Sequence, residues 1–183
     1  MSFRFDRICI LVVDDSPHML NLLCDILRGL GVGIVHTALD AVDAFKEIKI
    51  TRPDLVICDQ AMEPICGIEF ARLLRTSQDS PDIHVPIIMV TGYCDTQTVM
   101  QARDAGVNEF LAKPISAKAL YLRLLEVINN PRDFVKTKSY TGPDRQRRFL
   151  EDYDGPERRK KNGADTAAAD ALSNAEVDAL MEG

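Results

Sequence analysis

The sequence predicts an open parallel sheet of five strands with helices on both faces. Three observations carry that expectation. Short apolar runs recur at residues 8–13, 33–38, 55–58, 86–90 and 108–112, each too short for a helix. Between them lie stretches whose apolar residues return every three or four positions, as on one face of a helix. Strands alternating with helices in this way argue a doubly wound sheet. Finally, polar residues (Asp14, Asp59, Thr91 and Lys113) stand where four of the runs end. In such sheets, sites form beyond the carboxyl ends of the strands.

Each element has a local reason. Ile8 to Val13 is an apolar run with β-branched residues and reads as a buried first strand, ending at Asp14-Asp15. Ser16 suits a helix N-cap and Pro17 the first helical position. Leu20, Leu23, Cys24 and Leu27 then form an apolar stripe, and Gly29 and Gly31 close the helix. Gly33 to Ala38 is the second strand, followed by a helix over 39–50 with Ala41, Ala44, Phe45 and Ile48 on one face. Arg52-Pro53 breaks it. The stretch Asp54 to Asp59, DLVICD, is the centre of the pattern: a buried strand between two aspartates. A helix follows around Gly67 to Arg75, then a polar loop from Ser77 to Pro81. Pro86 to Val90 is the fourth strand, ending at Thr91-Gly92; residues 95–105 are helical until Gly106. Asn108 to Ala112 is the fifth strand, ending at Lys113-Pro114. Ser116 caps a last helix carrying Leu120, Leu124, Val127 and Ile128 to near Asn130.

Bulk properties bound the rest. A chain of 183 residues, 46% hydrophobic, fits one domain of ~100–150 residues plus additional sequence. No apolar run reaches the ~18 residues of a membrane span. The start, MSFRFDR, lacks a signal peptide's apolar core, so a cytoplasmic location without membrane insertion is expected. Five cysteines (Cys9, Cys24, Cys58, Cys66 and Cys94) lack CxxC spacing and read as buried free thiols. The net charge of −6 is unevenly distributed. Residues 1–130 are acidic, 131–162 carry ten basic against six acidic residues, and 163–183 carry five acidic residues and no basic one. A basic segment between two acidic ones is where an anionic partner would bind.

The strand-end residues specify a chemistry. Carboxylates of Asp14, Asp15 and Asp59 converging on one spot repel one another unless a cation sits among them. Hard oxygen ligands with room for water suit Mg²⁺. Lys113 would neutralise an incoming phosphoryl group and Thr91 would hydrogen-bond its oxygens. Asp59, the central carboxylate, would be the nucleophile, forming an acyl phosphate. A lone aspartate at a strand end is commonly a helix cap; several matching positions together argue otherwise.

With those residues in place, 7–130 resembles a receiver domain of bacterial two-component response regulators, of the CheY-like kind, with a flavodoxin-like fold. The resemblance rests on the acidic pair Asp14-Asp15, on Asp59, on Thr91 and on Lys113-Pro114. It implies that Asp59 is the phospho-acceptor and that Asp15, Asp59 and the Ala61 carbonyl hold the metal directly, with Asp14 acting through water. It implies a cis Lys113-Pro114 bond. It also implies a switch in which Thr91 moves toward the phosphoryl group and the ring of Phe110 follows. Its partner would be a sensor histidine kinase or a phosphotransfer protein. One departure is visible: Met62-Glu63-Pro64 stands where the family often has Met-Pro directly after the acceptor.

Beyond Pro131 apolar content falls, and no second core is expected. Residues 131–162 contain a repeat: YTGPDRQRR from Tyr140 and, thirteen residues later, YDGPERRKK from Tyr153. The candidate ligand-binding residues are Tyr140, Asp144, Arg145, Arg147 and Arg148 in the first unit and Tyr153, Glu157, Arg158 and Arg159 in the second. Arg can grip guanine O6 and N7 or stack on a purine. Tyr adds a stacking face worth ~1–3 kcal/mol per base. The acid can accept from guanine N1–H and N2–H, and Gly-Pro sets the turn. Two equivalent units suit a ligand with two equivalent halves, and cyclic di-GMP is one. The segment also resembles the arginine-rich extension of the Cle proteins, CheY-like effectors that bind cyclic di-GMP and act on the flagellar motor. Gln146 stands where the second unit has Arg159. The extension is expected to be largely disordered until ligand arrives. A basic linker drawn to any polyanion is the plainer reading.

Residues 163–171 read as a linker and 172–183 as a short amphipathic helix. Ser173 and Glu176 form a capping box, Leu172 and Val177 a hydrophobic staple. Leu172, Val177, Leu180 and Met181 are the candidate partner-binding residues; a frayed tail is the plainer alternative. LSNAEVDALM is similar to the N-terminal segment of the flagellar switch proteins that CheY recognises. Docking in the same molecule, docking on a neighbour and an engineered addition all remain open. The functional expectation is a non-enzymatic signalling adaptor at the flagellar base. The alternative is a plain phospho-receiver with an inert basic tail. No recognition helix follows the receiver, which argues against nucleic acid as partner.

Overall fold

The computed structural model describes residues 5–92, 95–137 and 140–145. Five parallel strands, β1 (Cys9–Val13), β2 (Ile34–Ala38), β3 (Leu55–Asp59), β4 (Ile87–Thr91) and β5 (Glu109–Ala112), lie in the order β2-β1-β3-β4-β5. The helices between and after them are α1 (Pro17–Gly29), α2 (Ala41–Thr51), α3 (Gly67–Thr76), α4 (Thr96–Asp104) and α5 (Ala117–Asn129). The chain lays β2 on one side of β1 and β3 on the other, so the strand order reverses there. The carboxyl ends of β1 and β3 flank the resulting crevice, the place where such sheets bind ligands. Register is continuous across it, with Val13 opposite Cys58 and Asp59 opposite Val90.

Alternation along the strands divides the core into two layers. Leu11, Val13, Val56, Cys58, Met89 and Phe110 face α2, α3 and α4. Ile10, Val12, Ile57, Ile88, Val90 and Leu111 face α1 and α5. Because both faces are covered, β3 and β4 are buried at every position. The expected caps hold: Ser16 Oγ accepts from Met19 N–H and Ser116 Oγ from Ala119 N–H. All four described cysteines are free thiols; Cys24 and Cys58 are buried, Cys9 and Cys66 half-buried, and Cys94 lies outside the described residues. Among the described residues no helix is long and apolar enough to cross a membrane.

One element was not anticipated. After Pro131 the chain forms an antiparallel ribbon of β6 (Phe134–Lys136) and β7 (Thr141–Pro143), with Val135 opposite Gly142. Its strands are too short for a sequence pattern, and a two-stranded ribbon is marginal alone. Docking on the receiver supplies what it lacks. Arg132 Nη2 lies 3.3 Å from Glu109 Oε1, and the Phe134 ring packs against His84 with centroids 4.3 Å apart. At the far end, Arg145 Nη2 lies 3.2 Å from Asp104 Oδ1. Gly142 lies so close to Gly106 that an added Cβ would come within 2.9 Å of the Gly106 Cα. Residues 146–183, with the second repeat unit and the terminal segment, lie outside the described residues.

The layer under α2 and α3 is anchored by Phe70, fully buried and edge-on to Phe45 at 5.3 Å. Phe70→Ala should lower unfolding free energy by about 3–5 kcal/mol, read from the urea midpoint at unchanged slope.

Candidate functional site

The crevice gathers side chains from three strand ends. Asp14 follows β1 and is 1% exposed; Asp59 closes β3 and is 5% exposed. Lys113, following β5, brings Nζ to 2.7 Å from Asp59 Oδ1 and 3.7 Å from Asp14 Oδ2. The main chain holds each carboxylate in place. Ser16 N–H donates to Asp14 Oδ1 at 2.9 Å, and Ala61 N–H donates to Asp59 Oδ2 at 2.9 Å. Lys113 N–H donates to the Thr91 carbonyl at 2.7 Å, so β4 and β5 fix the lysine's origin. The Lys113-Pro114 bond is cis, as expected, and Glu63-Pro64 is a second cis bond. Gly67 lets α3 start directly against this loop. A Cβ there would lie 2.2 Å from the Asp59 carbonyl oxygen.

The expected residues are not all equivalent. Asp14 and Asp59 converge, whereas Asp15 is exposed. Among the described residues no group of three or more His, Cys, Asp or Glu side chains is arranged to hold a metal ion by itself. The physical reason is that the tight grouping is one ammonium between two carboxylates, with the third carboxylate toward solvent. That arrangement still fits Mg²⁺, which commonly takes one or two carboxylates and keeps several waters. Asp14 Oδ2 is buried and accepts no hydrogen bond, so an acceptor is left over at the crevice. Thr91 is fully buried and donates Oγ1–H to Gln60 Oε1 at 3.1 Å. Gln60 is a neighbour that sequence reasoning missed; its position directly after Asp59 was the available signal. Phe110 is fully enclosed in the layer with Met89, Val99 and Ala102. The ring's expected inward movement therefore has no exposed starting point here.

In the tail, Tyr140, Asp144 and Arg145 are described. The Arg145 guanidinium lies over the Tyr140 ring at 4.1 Å, and Tyr140 Oη donates to the Pro143 carbonyl at 2.6 Å. Asp144 N–H donates to the Asp133 carbonyl and closes the ribbon. Arg147, Arg148, Tyr153, Glu157, Arg158 and Arg159 lie outside the described residues, as do Leu172, Val177, Leu180 and Met181.

Burial, more than any neighbour, raises the Asp14 pKa; the Ser16 N–H opposes it, Asp59 adds to it and Lys113 opposes it. A raised carboxyl pKa means that the folded protein binds its proton more tightly than the unfolded chain. This stability is present below the unfolded value of 3.8 and is lost as pH rises through the folded value. In metal-free buffer, Asp14→Asn should therefore be more stable than the parent at pH 7. The gap should close below the carboxylate range, as measured by urea unfolding across pH.

Comparison with known proteins agrees with this geometry. Residues 10–125 match the model for the response regulator receiver domain. The DNA-binding response regulator MtrA of Mycolicibacterium smegmatis is 35% identical over 117 residues, covering 63% of this chain and 48% of MtrA. The chain thus spans about half the length of that relative. Chemotaxis protein CheY-3 of Vibrio cholerae is 30% identical over 115 residues, covering 63% of this chain and 87% of CheY-3. Among solved structures, CheY4 of Vibrio cholerae superposes with a TM-score of 0.61 at 27% identity, covering 66% of this chain and 98% of CheY4. The receiver domain of a Pseudomonas aeruginosa sensor histidine kinase, solved with a magnesium ion in its active-site cleft, superposes at 0.59 with 27% identity, covering 67% of this chain and 98% of that domain. Burial of an aspartate pair beneath one lysine, at the switch point of a five-stranded parallel sheet, and the family match across it lead to one conclusion: the chain belongs to the response regulator receiver family, with a CheY-like receiver domain.

Proposed function

We propose that the chain is a phosphorylation-controlled CheY-like signalling adaptor whose basic extension reads cyclic di-GMP and whose output is the flagellar motor switch. The observation that carries the receiver half is the 2.7 Å approach of Lys113 Nζ to Asp59 Oδ1 inside a buried crevice. The phosphoryl donor is a phosphohistidine on a sensor kinase or phosphotransfer protein. An Asp59 carboxylate oxygen attacks its phosphorus, the P–N bond breaks and the imidazole leaves with the electron pair, taking up a proton. The product is a mixed anhydride on Asp59, and water attacking phosphorus later returns the carboxylate and inorganic phosphate. Lys113 offsets charge on the transferring group. Thr91 exchanges its bond to Gln60 for one to a phosphoryl oxygen. Asp14, Asp15, Asp59 and the Ala61 carbonyl would hold Mg²⁺, which supplies charge neutralisation at the phosphoryl oxygens. Such phosphorylation and hydrolysis are signalling steps within the domain, and the chain is not an enzyme acting on a separate substrate.

The extension is proposed to run over 131–162, with a linker at 163–171 and a short helix over 172–183. The Arg145–Tyr140 stack supports its reading, because it pairs a flat cation with a phenol ring and leaves each an opposite face on which a base can stack. The duplicated register supports guanine recognition over general attraction to polyanions, which needs charge but no register. The terminal helix is proposed to compete with the motor peptide for the face built from α4, β5 and α5. Its tether would raise the local concentration to about the millimolar range.

Two measurements on the full chain separate these readings. Incubation with acetyl phosphate and Mg²⁺ should add one phosphoryl group by intact mass in the parent and none in Asp59→Asn; equal labelling would remove the phosphorylation reading. Calorimetric titration should give cyclic di-GMP binding at least about tenfold tighter than GTP and weakened by about tenfold or more in Arg158→Ala, the loss of roughly one stacking contact. Equal affinities would leave the plain receiver with an inert tail. Ending the chain at Gly163 should raise affinity for an added motor-switch peptide, and unchanged affinity would discard the competing helix.

A further inference from the structure

The cleft between the ribbon and the receiver holds a charge that the phosphoryl site does not use. Arg75, in the last turn of α3, is only 2% exposed. Its Nε–H donates to the Gly106 carbonyl at 3.1 Å, Nη1 to the Ile83 carbonyl at 2.9 Å and Nη2 to Asn108 Oδ1 at 3.3 Å. All three acceptors are neutral. Among the described residues no carboxylate stands in ion-pair contact with this guanidinium, and Asp82 acts on it only at longer range. Burial pulls its pKa down to about 10. An enclosed charge without a counter-charge is strongly disfavoured.

A cavity of about 170 Å³ opens against this group, lined by Arg75, His84, Asn108, Arg132, Phe134 and Pro143 among others. No acidic side chain contributes to the lining itself, although Arg132 Nη2 lies 3.3 Å from Glu109 Oε1 and His84 Nδ1 lies 3.8 Å from Asp82 Oδ1 just outside it. Among the described residues, Arg75 is thus the cation of the cleft that has no carboxylate at ion-pair distance. The volume far exceeds the ~10–15 Å³ needed for one water. We propose that this cleft is a binding site for a phosphate group, held between Arg75, Arg132 and His84. Arg75 has five N–H donors and spends three on neutral oxygens, so two remain. A guanidinium matches phosphate geometry. The Phe134 ring, at 4.3 Å from that of His84, adds an aromatic wall for a base carried on the same phosphate. Arg132, Phe134 and Pro143 belong to the extension and the ribbon, so the site exists only while the ribbon is docked. An occupied site therefore stabilises docking by mass action. This site goes beyond the repeat-unit reading and does not depend on Tyr153 or Arg158.

The test is an NMR titration of the full chain with inorganic phosphate at constant ionic strength. Saturable shifts are expected at the Arg75 Nε–H and at the Asn108 and Phe134 amides. Arg132→Gln and His84→Ala should each weaken them by about tenfold or more, the loss of one charge-assisted hydrogen bond. Guanosine monophosphate distinguishes the sources. Tighter binding than phosphate, with the same resonances moving, identifies a nucleotide's phosphate; equal binding identifies the free anion. Either result supports the site. Absence of a saturable shift at these resonances into the tens of millimolar would overturn it. So would a shift undiminished in both variants. Because Arg132 and His84 also hold the ribbon, through Glu109 and Phe134, retention of the Val135 and Gly142 amide resonances in each variant shows that the ribbon is still docked when the loss is read.

Discussion

Two enclosed carboxylates sharing one ammonium are the constraint on which the receiver's chemistry depends. Asp14 and Asp59 sit at adjacent strand ends because β1 and β3 are neighbours at the point where strand order reverses. Lys113 reaches them from β5, two strands away from β3. Burial sharpens the repulsion between like charges and the attraction to the lysine alike. A crevice so built is poised for an anion that brings its own cation. Extra negative charge on Asp59 must be met by Lys113 and by whatever neutralises Asp14.

The tight backbone around Asp59 serves the same end. Gly67 brings the start of α3 against the Asp59 carbonyl, with Gly67 N–H donating to the Gln60 carbonyl at 2.9 Å. Gln60 N–H in turn donates to the Val90 carbonyl, so the residue after Asp59 is tied to β4. Its side chain takes the Thr91 hydroxyl. Asp59, Thr91 and Lys113 are thus linked through neighbouring strands, with Gln60 joining the end of β3 to Thr91. Enclosure of Phe110 behind Thr91 means that any transmission toward α4 begins from a packed ring.

The receiver fold and the meeting of Asp14, Asp59 and Lys113 at the strand ends were legible because both depend on features written locally. The apolar runs, the caps at Ser16 and Ser116, and polar residues at strand ends each announce themselves within a few positions. What was not legible depends on distant partners. Nothing near Arg75 in sequence indicates that Gly106, Ile83 and Asn108 will enclose it. Asn108 reads as the first residue of a strand, yet its side chain also takes Ile87 N–H at 3.0 Å and so serves β4 and Arg75 together. The ribbon is a similar case: Arg132 meets Glu109, and Arg145 meets Asp104, only through the tertiary packing of the receiver. Asp15 was legible as an acid, and its outward position was not.

Docking of the ribbon gives the first repeat unit fixed partners. The first unit's Tyr140 is half-buried, hydrogen-bonded to the ribbon's own backbone and covered on one face by Arg145. Arg145 itself is held by Asp104 at the end of α4. A ligand stacking on either group must therefore displace an ion pair or use the opposite face. Asp104 also ends α4, the helix that follows β4 and Thr91, so the first unit touches the next element of the chain after one of the crevice strands. A change in how α4 sits would alter the hold on Arg145, and ligand drawing on Arg145 would alter the end of α4. Linkage of this kind is reciprocal wherever it operates. The structure supplies its physical element: one carboxylate, shared between the receiver's helix and the tail's cation.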